Sequence, residues 1–524
     1  MADARGIHRS RRRPIVAPNV ALGEFLLRKE GALRSKPALV DGSSGRSVTF
    51  GELDLLVGRA AAGLHALGFG RGDVLALYAP NAIEFGVAFH AAARLGGATT
   101  TINPLSTGEE TARQLQDSRA RVLVAAAAQL ERVAPLIAGT GVEHAFVLGA
   151  STLAPRFEAL YAHGIRRQQA RVDPVVDVVA LPYSSGTTGL PKGVMLTHSN
   201  LIANVLQIAG TGQFRGEDTV LCVLPLFHIY GLVAILNLHL YLGATVVLMP
   251  RFELEALLST LRDARITLAP LVPPIVLQLV KHPSLAPGTL PALRTIMSGA
   301  APLSAELTTA CEARLGVRVI QGYGMTESSP ATHVTPLDGA VPGSAGELVG
   351  STEMRLVDPE TGGDATDGAT GEVWVRGPQV MLGYLGQPAA TRATVDADGW
   401  LRTGDLARVD GQGQLFVVDR LKELIKCNGY AVAPAELEAV LVTHPAVLDA
   451  AVIGVADAAA GEVPKAFVVR RSDVEAGELL AFVAARVAPY KRVARAEFVD
   501  SIPKSPSGKI LRRVLIELER ARSS

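Results

Sequence analysis

The sequence predicts an α/β protein with a large N-terminal region of two parallel sheet-helix units and a small β-barrel, followed by a small α+β C-terminal domain. Three observations carry that expectation. Strand-length apolar runs alternate with helical runs over residues 31–180, and the pattern repeats over 176–325. From about Gly346 the texture changes to short alternating strands between Gly-rich and Asp-rich turns, and after Asp419 strand and helix alternate again. A chain of 524 residues also exceeds what one ordinary core holds. The expected boundaries are 1–418, with the barrel over about 346–418, a junction at 419–422, and 423–524.

In chain order, 37–40 reads as a strand, and Thr49 as the N-cap of a helix running to about Leu67. Residues 74–78 form a buried strand, 82–95 a helix, and 98–102 and 122–125 two further strands. The second unit offers strands at 176–183, 220–223, 245–249, 268–271, 295–298 and 318–321. Residues 220–250 carry no charge, but Pro225, Gly231 and Gly243 divide them. They read as two buried strands around a helix at 232–242 rather than a membrane span. Barrel strands are expected at 354–357, 371–376 and 415–419. Helix 434–442, strands 449–454 and 465–470, and helix 477–486 follow.

Lys+Arg 51 against Asp+Glu 50 leaves a net charge of +1, which argues against a nucleic-acid surface. Cys222, Cys311 and Cys427 are widely separated and give neither a metal spacing nor a disulfide framework. A reducing, cytoplasmic location without stable membrane association is expected. Arg5, Arg9, Arg11, Arg12 and Arg13 precede no apolar run, so they read as a disordered basic tail rather than a secretory signal.

The densest polar stretch runs from Ser184 to Gly193, through Ser185, Gly186, Thr187, Thr188, Gly189 and Lys192. Glycines turn backbone N–H groups inward, hydroxyls add donors and the lysine offsets charge, which suits a polyphosphate cradle or a flexible loop. The spacing is not that of a Walker loop. In Ser298-Gly299-Ala300-Ala301, small residues after a strand either admit a flat ring or make a tight turn. Gln321-Gly322-Tyr323-Gly324-Met325-Thr326-Glu327 sets an aromatic face between glycines, then a hydroxyl and a carboxylate. Thr326 reads as a phosphate contact or an N-cap, and Glu327 as an Mg²⁺ ligand or a solvated carboxylate. Asp405, read before a turn, suits a ribose diol or the turn itself. Arg420 suits ribose or a surface ion pair, and Lys509 follows a Ser-Gly turn.

Tyr183-Ser-Ser-Gly-Thr-Thr-Gly-Leu-Pro-Lys-Gly-Val resembles the signature loop of adenylate-forming enzymes. The likeness extends from about Pro37 to Arg513. Met195–His198, Leu224–Tyr230, Val272–Leu277 and Val432–Glu438 look like 4-coumarate:CoA ligases and bacterial aryl-CoA ligases. The resemblance implies an ATP-dependent acid:CoA ligase working through an acyl-adenylate, with ATP, Mg²⁺ and coenzyme A. Tyr323 and Gly299, Ala300 and Ala301 would hold adenine, with Gln321, Gly322, Gly324, Met325 and Val417 nearby, and Asp405 and Arg420 would hold ribose. The 184–189 loop, Thr188, Lys192 and Thr326 would meet phosphates, Glu327 the metal, and Lys509 the carboxylate and α-phosphate. Lys426, Gly429 and Tyr430 would serve CoA, and a mobile C-terminal domain would turn about Lys422. The catalytic set is Lys509, Thr188, Lys192, Glu327, Lys426 and His228. The acyl pocket is His228, Tyr230, Gly231, Ala234, Met297, Ala300, Gly322 and Ala331, which suits a mostly apolar acid. The chain departs from plant 4-coumarate ligases at Asn428 and at Ala431, where the family glutamine used in thioester formation is missing. An enzyme of one half-reaction, one loading a carrier protein, and a non-catalytic nucleotide binder are the rivals; a monomer or homodimer is expected.

Overall fold

The computed structural model describes residues 6–184, 191–366, 368–427, 430–457, 460–505 and 508–523. Two large sheets share one apolar core. The first has eight strands. Its path runs Gly383–Tyr384, Lys192–Thr197, Val178–Ala180, Ala98–Thr101, Val74–Tyr78, Ala120–Ala126 and His144–Leu148, with Tyr183–Ser184 paired beside Lys192–Thr197. The second has nine: Glu347–Leu348, Ala331–Val334, Arg318–Gly324, Thr295–Ser298, Leu268–Leu271, Thr219–Cys222, Thr245–Leu248, Pro37–Asp41 and Ser47–Thr49.

Element types follow the sequence closely, but strand partners do not. Pro37–Asp41, expected in the first unit, runs parallel to Thr245–Leu248 in the second sheet. Both sheets are mixed rather than parallel, because Lys192–Thr197 and Ala331–Val334 enter antiparallel. Alternation along the chain reports local periodicity; pairing is decided by which apolar faces meet.

Helix Phe50–Ala66 starts at a capping box. The Thr49 hydroxyl accepts from the Glu52 N–H at 3.2 Å, and the Glu52 carboxylate accepts from the Thr49 N–H at 2.8 Å. Between Thr219–Cys222 and its parallel neighbour Thr245–Leu248, the expected single helix is a π-helix over Tyr230–Asn237 that continues as α-helix Leu238–Leu242. Among the described residues no helix is long and apolar enough to cross a membrane.

A third, five-stranded antiparallel sheet occupies the region expected to be a barrel: His8–Arg9, Glu353–Val357, Gly371–Arg376, Leu401–Val409 and Leu415–Arg420. Its longest strand, Leu401–Val409, escaped the sequence reading because Thr403-Gly404-Asp405 looks like a turn. Gly404 does take φ +71, but it sits inside the strand. The basic tail is also corrected from Arg9 onward, Arg5 lying outside the described residues. His8 and Arg9 pair with Met354 and Glu353, the Ser10 N–H donates to the Thr352 carbonyl, and Arg12 faces Glu347 at 3.5 Å. A strand edge and two carboxylates supply partners that arginines alone do not reveal.

The smaller C-terminal α+β domain has its own core, including Leu437, Val447, Val452, Val468 and Leu479. Its sheet orders Tyr430–Val432, Ile425–Cys427, Gly461–Arg470 and Val447–Asp457, with Arg495–Phe498 parallel to Gly461–Arg470. Helices Pro434–Val442, Ala476–Ala484 and Arg512–Ser523 accompany it.

Candidate active site

The loops that follow the carboxyl ends of the second sheet's strands carry much of the site, as expected for open α/β sheets. Gly299, Ala300 and Ala301 follow Thr295–Ser298, and Gln321–Gly324 ends Arg318–Gly324. Ala300 holds φ +68. The Gln321 side chain is engaged with the Leu303 backbone in both directions, at 2.9 and 3.2 Å, so it fixes the neighbouring loop.

Tyr323 projects toward the third sheet. Its hydroxyl donates to Asp405 at 2.8 Å, and Asp405 also meets the Arg420 guanidinium at 3.2 Å. Burial first, and then the Asp405 charge, raises the Tyr323 pKa well above the phenol range, so it stays a neutral donor. Asp405 is therefore a buried strand residue rather than a turn aspartate, and Val417 lies half-buried on the adjacent strand.

Thr326, Glu327 and Ser328 form a 3₁₀ turn whose N-cap position is Met325, not Thr326. Glu327 is only 2% exposed, which removes the solvated reading. One of its oxygens accepts from the Tyr384 hydroxyl at 2.9 Å; among the described residues the other has no hydrogen-bond partner. A buried carboxylate with one open oxygen fits a hard divalent cation, which beside phosphates needs few protein ligands. Lys192 begins strand Lys192–Thr197, and its ammonium lies 5.0 Å from the centre of the same Tyr384 ring.

Lys509, from the C-terminal domain, lies within electrostatic reach of the Asp405–Arg420 pair. Gly508 precedes it with φ +78, and a Cβ on Gly508 would approach Val272 Cγ2 to 2.9 Å, so the loop seats on the N-terminal region. Burial, then the Arg420 guanidinium, pushes the Lys509 pKa down to about 8, while Glu423 and Asp405 act the other way. Three chain regions thus converge: Tyr323, the Asp405–Arg420 pair and Lys509.

In the pocket set, the Tyr230 hydroxyl donates to the Met297 carbonyl at 3.3 Å. A Cβ on Gly299 would lie 2.9 Å from the Tyr230 ring, and one on Gly322 would lie 3.1 Å from Met297 Cε. His228 packs on Phe227, its Nε2 has no partner among the described residues, and burial pushes its pKa down to about 4. Ala234 and Ala331 are buried. Gly231 has a packing reason of its own, since a Cβ there would sit 2.2 Å from the Pro225 carbonyl oxygen.

Ser184 ends its short strand, and Lys422 lies in the turn before Ile425–Cys427. Lys426 is exposed, and Tyr430 is exposed and stacked on Tyr490. Neither joins the Lys509 group. Ser185, Gly186, Thr187, Thr188, Gly189, Asn428 and Gly429 lie outside the described residues, as does the Ala431 side chain. A cleft of about 560 Å³ lined by Arg28, Lys29, Arg34 and Arg167 contains none of the site residues.

Two residues escaped the sequence reading. Tyr384 links Lys192 to Glu327; its only local signal is a tyrosine between Gly383 and a second Gly two positions on. Asn81 holds the 222–226 loop, donating to the Cys222, Leu224 and Met249 carbonyls at 3.0–3.1 Å and accepting from the Leu226 N–H at 2.7 Å.

Comparison with known proteins gives the family. Residues 28–385 match the AMP-binding enzyme family, and 436–509 its C-terminal domain. The chain is 45% identical over 509 residues to 4-coumarate--CoA ligase 3 of Oryza sativa subsp. japonica, covering 95% of this chain and 92% of that protein. ATP-bound MatB from Rhodopseudomonas palustris superposes with a TM-score of 0.87 at 30% identity, covering 95% and 99% of the two chains. The anthranilate CoA ligase AuaEII, in complex with anthranoyl-AMP, gives 0.88 at 28%, covering 96% and 98%. The chain belongs to the adenylate-forming family, close to the 4-coumarate:CoA ligase-like aryl and acyl-CoA ligases, and is an ATP-dependent acyl-adenylate-forming ligase.

Proposed function

We propose that the protein is a carboxylic acid:CoA ligase acting on an aryl, cinnamyl or other mostly apolar acid. The observation that carries the reading is Lys509, brought from the C-terminal domain to the Asp405–Arg420 pair. An acid carboxylate attacks the α-phosphorus of ATP, an acyl–phosphate bond forms, and pyrophosphate leaves. Two anions must meet, so fixed positive charge is worth most where they meet. Lys509 supplies it there, while Lys192 and Thr188 serve the phosphates. Asp405 and Arg420 hold ribose against the Tyr323 wall. Glu327 would hold Mg²⁺, which when bound offsets charge on the triphosphate.

In the second step the CoA sulfur attacks the acyl carbon and AMP leaves. The C-terminal domain, 423–524, turns about residues 419–422 to withdraw Lys509 and bring up Lys426, Gly429 and Tyr430. The pocket supports an apolar acid: its contacts are Tyr230, Met297 and glycine surfaces, and no lysine or arginine stands among its positions. Ala234 offers no hydroxyl for a phenol. An unpaired buried hydroxyl costs about 1–3 kcal/mol, so 4-hydroxycinnamates should lose roughly ten-fold in preference.

The test is pyrophosphate release with and without CoA across aryl, cinnamyl, alkanoic and polycyclic acids. CoA-dependent turnover with one class supports the reading. Release limited to about one equivalent of enzyme and unmoved by CoA would identify an adenylate-holding enzyme, with Ala431 as the cause. Silence with every acid overturns the proposal.

A further inference from the structure

We propose that Tyr384 is a positioning residue for adenylation. Its hydroxyl fixes the Glu327 carboxylate and its ring holds the Lys192 ammonium, so both charges are presented to the metal-bound triphosphate in one arrangement. The inference rests on the acyl-adenylate reading above.

Residues 381–385 are tied to both phosphate motifs by their backbone as well. The Met381 N–H donates to the Glu327 carbonyl at 2.9 Å, and the Leu385 N–H to the Gly193 carbonyl at 2.8 Å. Tyr384 itself pairs with Val194, and its N–H donates to the Thr391 hydroxyl at 2.9 Å. Gly383 precedes it at φ +150, where a Cβ would meet Thr391 Cγ2 at 2.8 Å. The side chain therefore starts from a backbone fixed on both sides.

From that anchor it makes two contacts of opposite kind. The hydroxyl donates to Glu327 at 2.9 Å and leaves the second carboxylate oxygen available to a cation. The ring face attracts Lys192 at 5.0 Å without neutralising it. A phenol hydroxyl facing a carboxylate is the donor of the pair. A direct Lys192–Glu327 ion pair would spend both charges on each other. A neutral aromatic donor orients both and spends neither.

The experiment uses the full-length protein and titrates ATP calorimetrically, with Mg²⁺ and with metal chelated, without any acid. Tyr384→Phe keeps the ring and loses the hydroxyl. It should weaken Mg²⁺-ATP binding about ten-fold, the loss expected for one hydrogen bond to a charged group, and leave metal-free ATP binding within about two-fold of wild type. In a Glu327→Gln background the same substitution should cause no further loss. Tyr384→Leu should also weaken metal-free ATP, because Lys192 loses its ring. A Phe variant that binds Mg²⁺-ATP like wild type, that weakens both forms equally, or that weakens binding equally in the Glu327→Gln background overturns the proposal. Binding is read without acid, so silence in the pyrophosphate assay would sink the ligase reading alone. Normal acid-dependent turnover with unaltered binding by Tyr384→Phe would sink only this inference.

Discussion

Replacing Lys509 with alanine is the sharpest test of how the site works. A lysine held at about 8 rather than 10.5 pays on the order of 3 kcal/mol to remain charged. The causes are burial and then Arg420, so the cost falls when anions enter beside it. The reacting carboxylate and α-phosphate supply them together, and the charge is most valuable as their bond forms. Removing it should slow adenylation roughly 100- to 1,000-fold, the loss typical of one preorganised charge or donor. ATP binding alone should change by only about three-fold. The sign with pH follows: in the free protein the lysine loses its proton above about 8, so kcat/KM for adenylation falls as pH rises, whereas Lys509→Ala gives a profile lacking that limb. The assay is single-turnover pyrophosphate release, beside thioester formation from supplied acyl-AMP. The second reaction should survive, because the proposed second step withdraws Lys509 from the site. Equal loss in both half-reactions would refute the assignment.

Three further outcomes are expected. Tyr323→Phe removes the donor to Asp405 and should raise the ATP dissociation constant about ten-fold with a small change in melting temperature; unchanged affinity would separate that bond from nucleotide binding. Gly231→Ala must force a methyl against the Pro225 carbonyl, so it should lower stability by about 1–3 kcal/mol without reordering acid preferences; a changed preference at unchanged stability would return Gly231 to the pocket wall. Deleting residues 1–13 bares the edge of Glu353–Val357 and should lower the melting temperature by roughly 2–4 °C and raise light scattering; an unchanged melt and clear solution would show that the tail adds nothing to the sheet.

Much of this was legible in the residues. Val74–Tyr78, Leu268–Leu271, Thr295–Ser298 and Pro434–Val442 begin and end where apolar period and caps place them. The Gln321–Glu327 run sits on a strand end and a turn, as an aromatic between glycines suggests. What could not be read is pairing between distant segments. Tyr384 gains its meaning from register with Val194, which lies 190 positions earlier and shares no local pattern with it. The arginines of the tail were solvated in any local reading until Glu347 and Glu353 arrived from across the chain. Asp405 was misplaced for a subtler reason: a glycine at positive φ usually marks a turn, and here it marks an irregular strand.

The exchange of strands between the two large sheets has a consequence for anyone building chimeras. The hairpin of Pro37–Asp41 and Ser47–Thr49 finishes a sheet made mostly from residues 219–348, and Gly383–Tyr384 finishes one made mostly from residues 74–197. A crossover placed between the two stretches leaves each donor's edge strand to pair with a foreign neighbour. Swapping residues 176–325 to import another acid preference would carry most of the proposed pocket but leave behind Ala331, the hairpin beside Thr245–Leu248 and the tyrosine beside Lys192. Point changes at Ala234, Met297 or Ala331 of the proposed pocket disturb no such seam, so they are the sounder route to test for a new specificity.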